Sequence, residues 1–117
     1  MNKLMFIKVK TQFEAVHCYP TAPIAVKHLR SKHRHTFFVS VSIEVTDENR
    51  QLEFYLVKDY IDTVITHKDL NSLSCEMICD AYYGAIQEKY GKRKVIVEVS
   101  EDNQRSAVTS YNFKKEE

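Results

Sequence analysis

Apolar and polar residues alternate in two stretches of the first half of the chain. In the first stretch, one face of a strand is formed by Met5, Ile7, Val9, Thr11 and Phe13. In the second, one face is formed by Phe37, Val39, Val41, Ile43 and Val45. A repeat of two places alternate side chains on opposite faces of a strand. The two stretches therefore predict strands that each bury one face.

Beyond about residue 55 the apolar residues recur at the spacing of a helix. The first helical stripe consists of Val57, Ile61, Val64 and Ile65. A second helix is predicted to follow an N-cap at Ser74 and to stop at Gly91. Its apolar stripe consists of Met77, Ile78, Ala81, Ala85 and Ile86. The segments "KVIVEV" and "SAVTSYNF" then predict two closing strands and complete the order ββααββ.

This order separates strands from helices and predicts an α+β fold, a four-stranded antiparallel sheet with two helices on one face. The 117 residues suit a single domain, residues 1–117. A sheet of this kind has two edge strands whose backbone groups are free to pair with another chain. We therefore expect a homo-oligomer built through the sheet.

Composition narrows the classes of function. The formal net charge of +1 gives no general attraction to nucleic acid or to a membrane surface. No apolar run is long enough to span a membrane, and two glycines are too few to support a P-loop or Rossmann fingerprint. The cysteines, Cys18, Cys75 and Cys79, are odd in number and lack the spacing of zinc pairs. They predict a reduced, cytoplasmic setting.

Three of the five histidines lie in "KHLRSKHRH", residues 27–35, among four lysines and arginines. His33 and His35 are two residues apart at the start of the second strand, so their side chains share a face. Antiparallel pairing with the first strand can bring His17 beside them. Three histidines form a zinc site that keeps a fourth position open. The alternative is a hydrated basic loop whose histidines have no common role.

A series of motifs runs along most of the chain: "FEAVH" at His17, "HRH" entering the second strand, "LEFYLVKDYIDTVI" at the first helix, "ITHKDLN" between the helices, "LSCEMICDAY" opening the second helix, and "VIVEVS". In this order they resemble the family of 6-pyruvoyl-tetrahydropterin synthase and 6-carboxytetrahydropterin synthase. The resemblance implies the tunnelling fold (T-fold), in which trimers, often stacked as hexamers, close their sheets into a β-barrel with active sites at subunit boundaries. It also implies Zn²⁺ held by His17, His33 and His35, and carbon–oxygen lyase chemistry on dihydroneopterin triphosphate.

The groups that move protons in this family are mostly replaced here. The family's general-base cysteine corresponds to Leu29, and the aspartate of its proton relay corresponds to Thr66. The histidine of that relay is retained as His67, which alone is also explained by packing or hydrogen bonding. Losing a positioned general base costs about 10²–10⁴-fold in rate. The replacements therefore argue against standard synthase chemistry.

Two other groups are candidates to replace the missing base. Cys18 follows the metal-ligand candidate His17, and its alternative role is that of a small packing residue. His28 borders the position of the missing base, and histidine exchanges protons near neutral pH. The alternative for His28 is an exposed loop histidine.

The groups that bind the ligand in this family are partly retained. The glutamate that opens the second helix is retained as Glu76, with Ser74 in place of a threonine. Glu76 is equally explained as an acid that complements the helix dipole. The family's strand glutamate corresponds to Val99, although Glu98 and Glu101 lie close enough for a one-residue bulge to re-aim one of them.

The basic run adds Lys32 and Arg34 as candidate contacts for a phosphorylated ligand, with a hydrated loop as the alternative. Two functions follow. In the first, a divergent member of the family binds zinc and a pterin-, purine- or nucleotide-like ligand without standard synthase chemistry. In the second, the chain is an active zinc-dependent synthase with replaced catalytic residues. A purely structural metal is a third interpretation. Nucleic acid is not an expected partner.

Overall fold

A computed structural model describes residues 3–112, so Phe113 of the predicted last strand lies outside the described residues, as do Met1 and Asn2. The elements within residues 3–112 are β1 (Met5–His17), β2 (His33–Val45), α1 (Phe54–Asp62), α2 (Cys75–Tyr90), β3 (Val95–Glu101) and β4 (Arg105–Tyr111). A short 3₁₀ segment, Ile24–Arg30, lies in the long connection between β1 and β2. The predicted α+β class is confirmed.

The four strands form one antiparallel sheet in the order β1-β2-β3-β4, which leaves β1 and β4 at its edges. The pairing of β1 with β2 runs without a bulge from Met5 opposite Val45 to His17 opposite His33. The predicted face of β2 is fully buried, at Phe37, Val39, Val41, Ile43 and Val45. The predicted four-stranded antiparallel sheet is therefore confirmed.

Both α-helices cover the face of the sheet that carries these residues. Their buried side chains join those of the strands in a single core: Val57 and Ile61 from α1, and Ile78, Cys79, Tyr82 and Ile86 from α2. Each buried aliphatic or aromatic side chain contributes about 1.5–3 kcal/mol through its removal from water. The opposite face of the sheet carries polar residues such as Lys8, Ser40 and Glu98.

The ends of α2 agree with the predicted caps. The Ser74 hydroxyl accepts a hydrogen bond from the backbone N–H of Met77 at 3.2 Å. At the other end Gly91 has a φ of 82°, a left-handed conformation that favours glycine, and donates its N–H to the carbonyl of Gln87. Neither α1 nor α2, nor any other helix within residues 3–112, is long and apolar enough to cross a membrane.

The apolar faces of the helices differ from the prediction in two ways. α1 ends at Asp62, and Val64 and Ile65 pack against the core from the chain that follows it. In α2 the buried stripe contains Cys79 and Tyr82, whereas Met77 is 52% exposed. The prediction was therefore wrong for Met77, whose side chain lines a groove beside the sheet, and for Ala81, which is exposed.

Candidate metal centre

The register of β1 and β2 brings three histidines together at one end of the sheet. His17 lies directly opposite His33, and His35 lies opposite Ala15, two residues along each strand. Side chains at alternate positions share a face, so all three rings point to the side that the helices cover. The rings of His17 and His35 pack against Phe37, whose centroid is 5.2 Å from that of His17 and 5.8 Å from that of His35.

The three rings are close enough to share one ion. Their centroids are separated by 4.6 Å between His17 and His33, 4.9 Å between His33 and His35, and 5.3 Å between His17 and His35. One ligand atom from each of these histidines, and one from Glu101, all lie within 4.8 Å of one another. The arrangement places four potential metal ligands around a common point.

The outer nitrogen of each ring is held by an acceptor. Nδ1 of His17 lies 2.9 Å from the carbonyl oxygen of Leu73, and Nδ1 of His33 lies 2.9 Å from that of Ser31. Nδ1 of His35 lies 2.7 Å from a carboxylate oxygen of Asp102. These oxygens only accept hydrogen bonds, so each Nδ1 is the donor and the Nε2 of each ring is the nitrogen left to bind a metal. Metal-binding histidines are oriented in this way.

Two of the inward nitrogens are buried without a hydrogen bond. Within residues 3–112, Nε2 of His17 and Nε2 of His35 have no hydrogen-bond partner. A carboxylate oxygen of Glu101 is 3.0 Å from the former and 3.5 Å from the latter, but the angles are not those of hydrogen bonds. Buried polar atoms are usually satisfied, so these two lone pairs fit a cation. Imidazole and carboxylate are both zinc ligands, and the residues present therefore fit Zn²⁺.

Asp102 belongs to the turn between β3 and β4 and was not predicted as a site residue. Asp102 and Asn103 both have positive φ, and Gln104 donates its N–H to the carbonyl of Glu101, as in a type I′ turn. One Asp102 oxygen accepts from His35 and the other from the backbone N–H of Thr36 at 3.0 Å. These hydrogen bonds hold the pKa of Asp102 below its ordinary value. The Asp–Asn pair was the sequence signal for this turn.

A groove of about 790 Å³ opens beside the histidines. Its lining includes three predicted ligand-binding residues, Ser74, Glu76 and Glu101, and the catalytic candidate Cys18. It also includes Leu29, the position of the absent general base, so this part of the wall is apolar. The remaining lining includes Tyr19, Met77 and Arg105. Arg105, which follows the turn, was missed because no motif pointed to it.

Glu98 and Glu101 were both predicted as ligand-binding residues, and they lie on opposite faces of β3. Val95, Val97 and Val99 are buried on the helix-covered face, and the repeat of two places Glu101 on that face without a bulge. Glu98 is exposed on the opposite face, in a hollow that Lys8 and Lys10 also line. The Glu101 carboxylate therefore lies beside the histidines, whereas that of Glu98 lies on the other side of the sheet.

Several other predicted site residues lie away from the groove. Arg34 alternates with the two strand histidines, so it points to the other face and pairs with Glu14 at 2.5 Å. Lys32 pairs with Asp69, and this hydrogen bond raises the pKa of Lys32 and lowers that of Asp69. Both pairs are exposed, where an ion pair contributes little stability.

The two remaining catalytic candidates are loop histidines. His28 lies in the 3₁₀ segment and His67 in the connection between the helices, and both side chains are exposed. Neither is among the residues that line the groove. Within this chain, Cys18 is therefore the catalytic candidate that lies beside the histidines.

Comparison with known proteins adds no relative. No protein-family model matches the chain, and no curated protein matches it. The case for a function therefore depends on the residues of the metal centre and the groove.

Proposed function

We propose that this chain is a divergent, zinc-binding protein of the 6-pyruvoyl- and 6-carboxytetrahydropterin synthase type that binds a pterin-, purine- or nucleotide-like ligand without standard synthase chemistry. The observation that carries the proposal is the orientation of His17, His33 and His35. Each holds its outer nitrogen on an oxygen acceptor, and the inner nitrogens converge on one point. This orientation is costly to maintain unless a cation uses the lone pairs.

Zn²⁺, when bound, would supply a Lewis acid that polarises an oxygen of the ligand. The residues of the chain hold and surround that ion. The Nε2 atoms of His17 and His35 are buried, and the buried ring of Phe37 packs against both imidazoles. Leu29 occupies part of the groove wall and cannot accept a proton. A metal centre without a positioned proton acceptor supports binding more than turnover.

The groove favours a flat, polar ligand. Its volume of about 790 Å³ falls within the usual range for small-molecule sites. The carboxylates of Glu76 and Glu101 can accept N–H groups from an amidine-like edge of a pterin or purine. Tyr19 and Met77 offer apolar surface for the ring, being 48% and 52% exposed. Arg105 adds a cation suited to a carboxylate or phosphate on the ligand.

The T-fold assembly is part of the proposal. β1 and β4 are edge strands, and β4 carries the apolar Val108 at 61% exposure. Pairing between β4 of one copy and β1 of the next would cover both edges and close the sheets into a barrel, as a trimer or hexamer. The groove would then lie at a subunit boundary. We also propose a cytoplasmic location, which the free thiols of Cys18, Cys75 and Cys79 support.

An active synthase is the second candidate function. The observation in its favour is that Cys18 lines the same groove as His17 and His33. A thiolate there would replace the general base, and His28 or His67 of a neighbouring copy would then supply the relay. The substrate would be dihydroneopterin triphosphate and the reaction a zinc-dependent carbon–oxygen lyase step.

Two measurements on zinc-loaded protein test the proposal. Quenching of pterin fluorescence by the wild-type protein, lost in His33→Ala, is the expected result, together with no turnover of dihydroneopterin triphosphate. Turnover that disappears in His33→Ala would instead establish the synthase, and Cys18→Ala would then identify the base. Protein that binds neither zinc nor a pterin would contradict both functions.

A further inference from the structure

We propose that Glu101 is a fourth metal ligand, so that the centre is closed by a protein carboxylate while the groove is empty. This inference rests on the proposed zinc centre and concerns how that centre is completed. It differs from an open three-histidine site, in which the fourth position belongs to water or to the ligand.

The spacing of the ligand atoms carries the inference. Two ligands of a tetrahedral zinc ion, each about 2.0–2.1 Å from the metal, lie about 3.3 Å from each other. The nearer Glu101 oxygen is 3.0 Å from Nε2 of His17 and 3.5 Å from Nε2 of His35. These two separations bracket the edge of such a tetrahedron. The carboxylate oxygen is therefore close enough to both nitrogens to share one ion with them.

The orientation of the contact argues against a simple ion pair. A protonated His17 would donate its Nε2 hydrogen to Glu101, and the two atoms are close enough for this bond. Their angles do not form it, and Nε2 has no hydrogen-bond partner within residues 3–112. The nitrogen lone pair and the carboxylate oxygen face a shared point instead. That arrangement suits two ligands of one cation.

The burial of the carboxylate points the same way. The Glu101 side chain is 22% exposed and lies beside the imidazole rings of His17, His33 and His35. A carboxylate in such surroundings is costly without a compensating cation. Arg105 is 3.9 Å from the other oxygen, but its side chain is 64% exposed, so water weakens this pair. A bound cation would provide the compensation that Arg105 does not.

A closed centre changes what a ligand must do. Glu101 lines the groove as well as the metal centre, so a ligand reaches the metal only by displacing this carboxylate. The displaced carboxylate stays in the groove and remains able to accept N–H groups from the ligand. Entry of the ligand and opening of the metal centre are then one event.

Co²⁺ in place of Zn²⁺ tests the inference, because its visible absorption reports coordination directly. Wild-type Co²⁺ protein is expected to show a four-coordinate spectrum that added azide does not change. Glu101→Gln and Glu101→Ala are expected to bind Co²⁺ about 100-fold more weakly. This loss corresponds to about one quarter of the binding free energy of a four-ligand site. Their spectra are expected to shift with azide, which takes the freed position.

Glu98→Gln is the matched control, since Glu98 lies on the same strand but on the opposite face, and its Co²⁺ affinity and spectrum should equal those of the wild type. Wild-type protein whose spectrum shifts with azide as readily as Glu101→Gln would overturn the inference and leave the three-histidine centre standing. Wild-type protein that does not bind Co²⁺ would overturn the zinc centre itself. The azide titration of the wild type needs no variant, so it decides the question even if a variant misfolds.

Discussion

The strand-borne histidines and the loop-borne histidines of this chain have opposite surroundings. His17, His33 and His35 lie on β1 and β2, and each has a defined acceptor for its outer nitrogen. His28 and His67 lie on exposed connections outside the groove. The paired strands place the three candidate ligands beside one another, each with a hydrogen bond at its Nδ1, whereas His28 and His67 are exposed. Within residues 3–112 the paired strands thus bring together residues that could hold a metal ion, whereas His28 and His67 lie apart from them.

The same comparison explains why binding is a better proposal than turnover. A catalytic base must be held within hydrogen-bond reach of the proton that it removes. The residues fixed at the candidate metal centre are the three histidines, Glu101 and the hydrogen-bond acceptors of the histidines, and the groove wall at Leu29 is apolar. The following predictions test this contrast, from the largest expected effect to the smallest.

Removal of one strand histidine should have the largest effect. We expect His35→Ala to weaken Zn²⁺ binding by at least about 100-fold, because a four-ligand zinc site gains about 10–16 kcal/mol in total, roughly 3 kcal/mol for each ligand. Competition against a chromophoric chelator measures the affinity. His67→Ala is the matched control and should leave it unchanged. Equal losses in both variants would contradict the division between strand and loop histidines.

Asp102 should matter through its contact with His35. We expect Asp102→Asn to weaken Zn²⁺ binding about 10–100-fold, the usual cost of altering an acceptor behind a ligand histidine. Asparagine tolerates the positive φ of 55° at this position, so the turn itself should persist. Chelator competition, with a thermal melt of the metal-free protein, separates metal affinity from folding. Asp69→Asn changes an exposed carboxylate and should leave zinc affinity unaffected.

A smaller effect should follow from the loss of the α2 cap. Ser74→Ala removes the hydroxyl that accepts from Met77, and we expect the free energy of unfolding to fall by about 1 kcal/mol. Urea denaturation measures this change. Zinc affinity should not change, because Ser74 lies in the groove rather than among the four metal-ligand atoms. Ser72→Ala, in the same groove but outside the cap, is the control for stability. A Ser74→Ala variant as stable as that control would show that the cap contributes nothing.

A prediction of another kind, on chemical reactivity rather than on metal affinity or stability, concerns a thiol beside the centre. Burial, with the negative charge of Glu101 next in importance, raises the pKa of the Cys75 thiol to about 12. The protonated thiol is favoured, so about one Cys75 in 10⁴ is a thiolate at pH 8. We expect iodoacetamide to label Cys75 very slowly at pH 8. The labelling rate should rise about tenfold for each pH unit until the pH reaches that pKa. Peptide mass spectrometry, with free cysteine as the reference, measures the rate. Rapid labelling at pH 8 would mean that this thiol is not shielded.

The strands could be predicted from sequence because the alternation of apolar and polar residues shows which face of each strand is buried. Phe37, Val39 and Val41 fix the buried face of β2, and extending the repeat backward places His33 and His35 on it. The same rule applied to β3 would have chosen Glu101 over Glu98. The family resemblance instead assigned the glutamate to Val99, which the register buries in the core.

The helices were harder, because apolar spacing identifies a helix better than it identifies the helix's end or its orientation. Val64 and Ile65 continue the stripe of α1 although the helix has ended, since a following loop can pack on the same core. In α2 Tyr82 is buried and Met77 is 52% exposed, a choice that depends on tertiary packing rather than on apolar spacing. Asp102 and Arg105 depend on a turn whose contact with β2 is a property of the folded chain.

The three histidines lie on the paired strands β1 and β2. Glu101 lies on β3, which follows both helices in the sequence. During synthesis β1 and β2 are complete before α2 and β3 have been made. A metal ion would then be held by three ligands on a nascent chain, and the arrival of β3 would supply the fourth. Pairing between distant strands is the slow part of folding such a sheet. A metal ion bound early would stabilise the late pairing of β3 with β2, because this pairing would bring Glu101 to the ion.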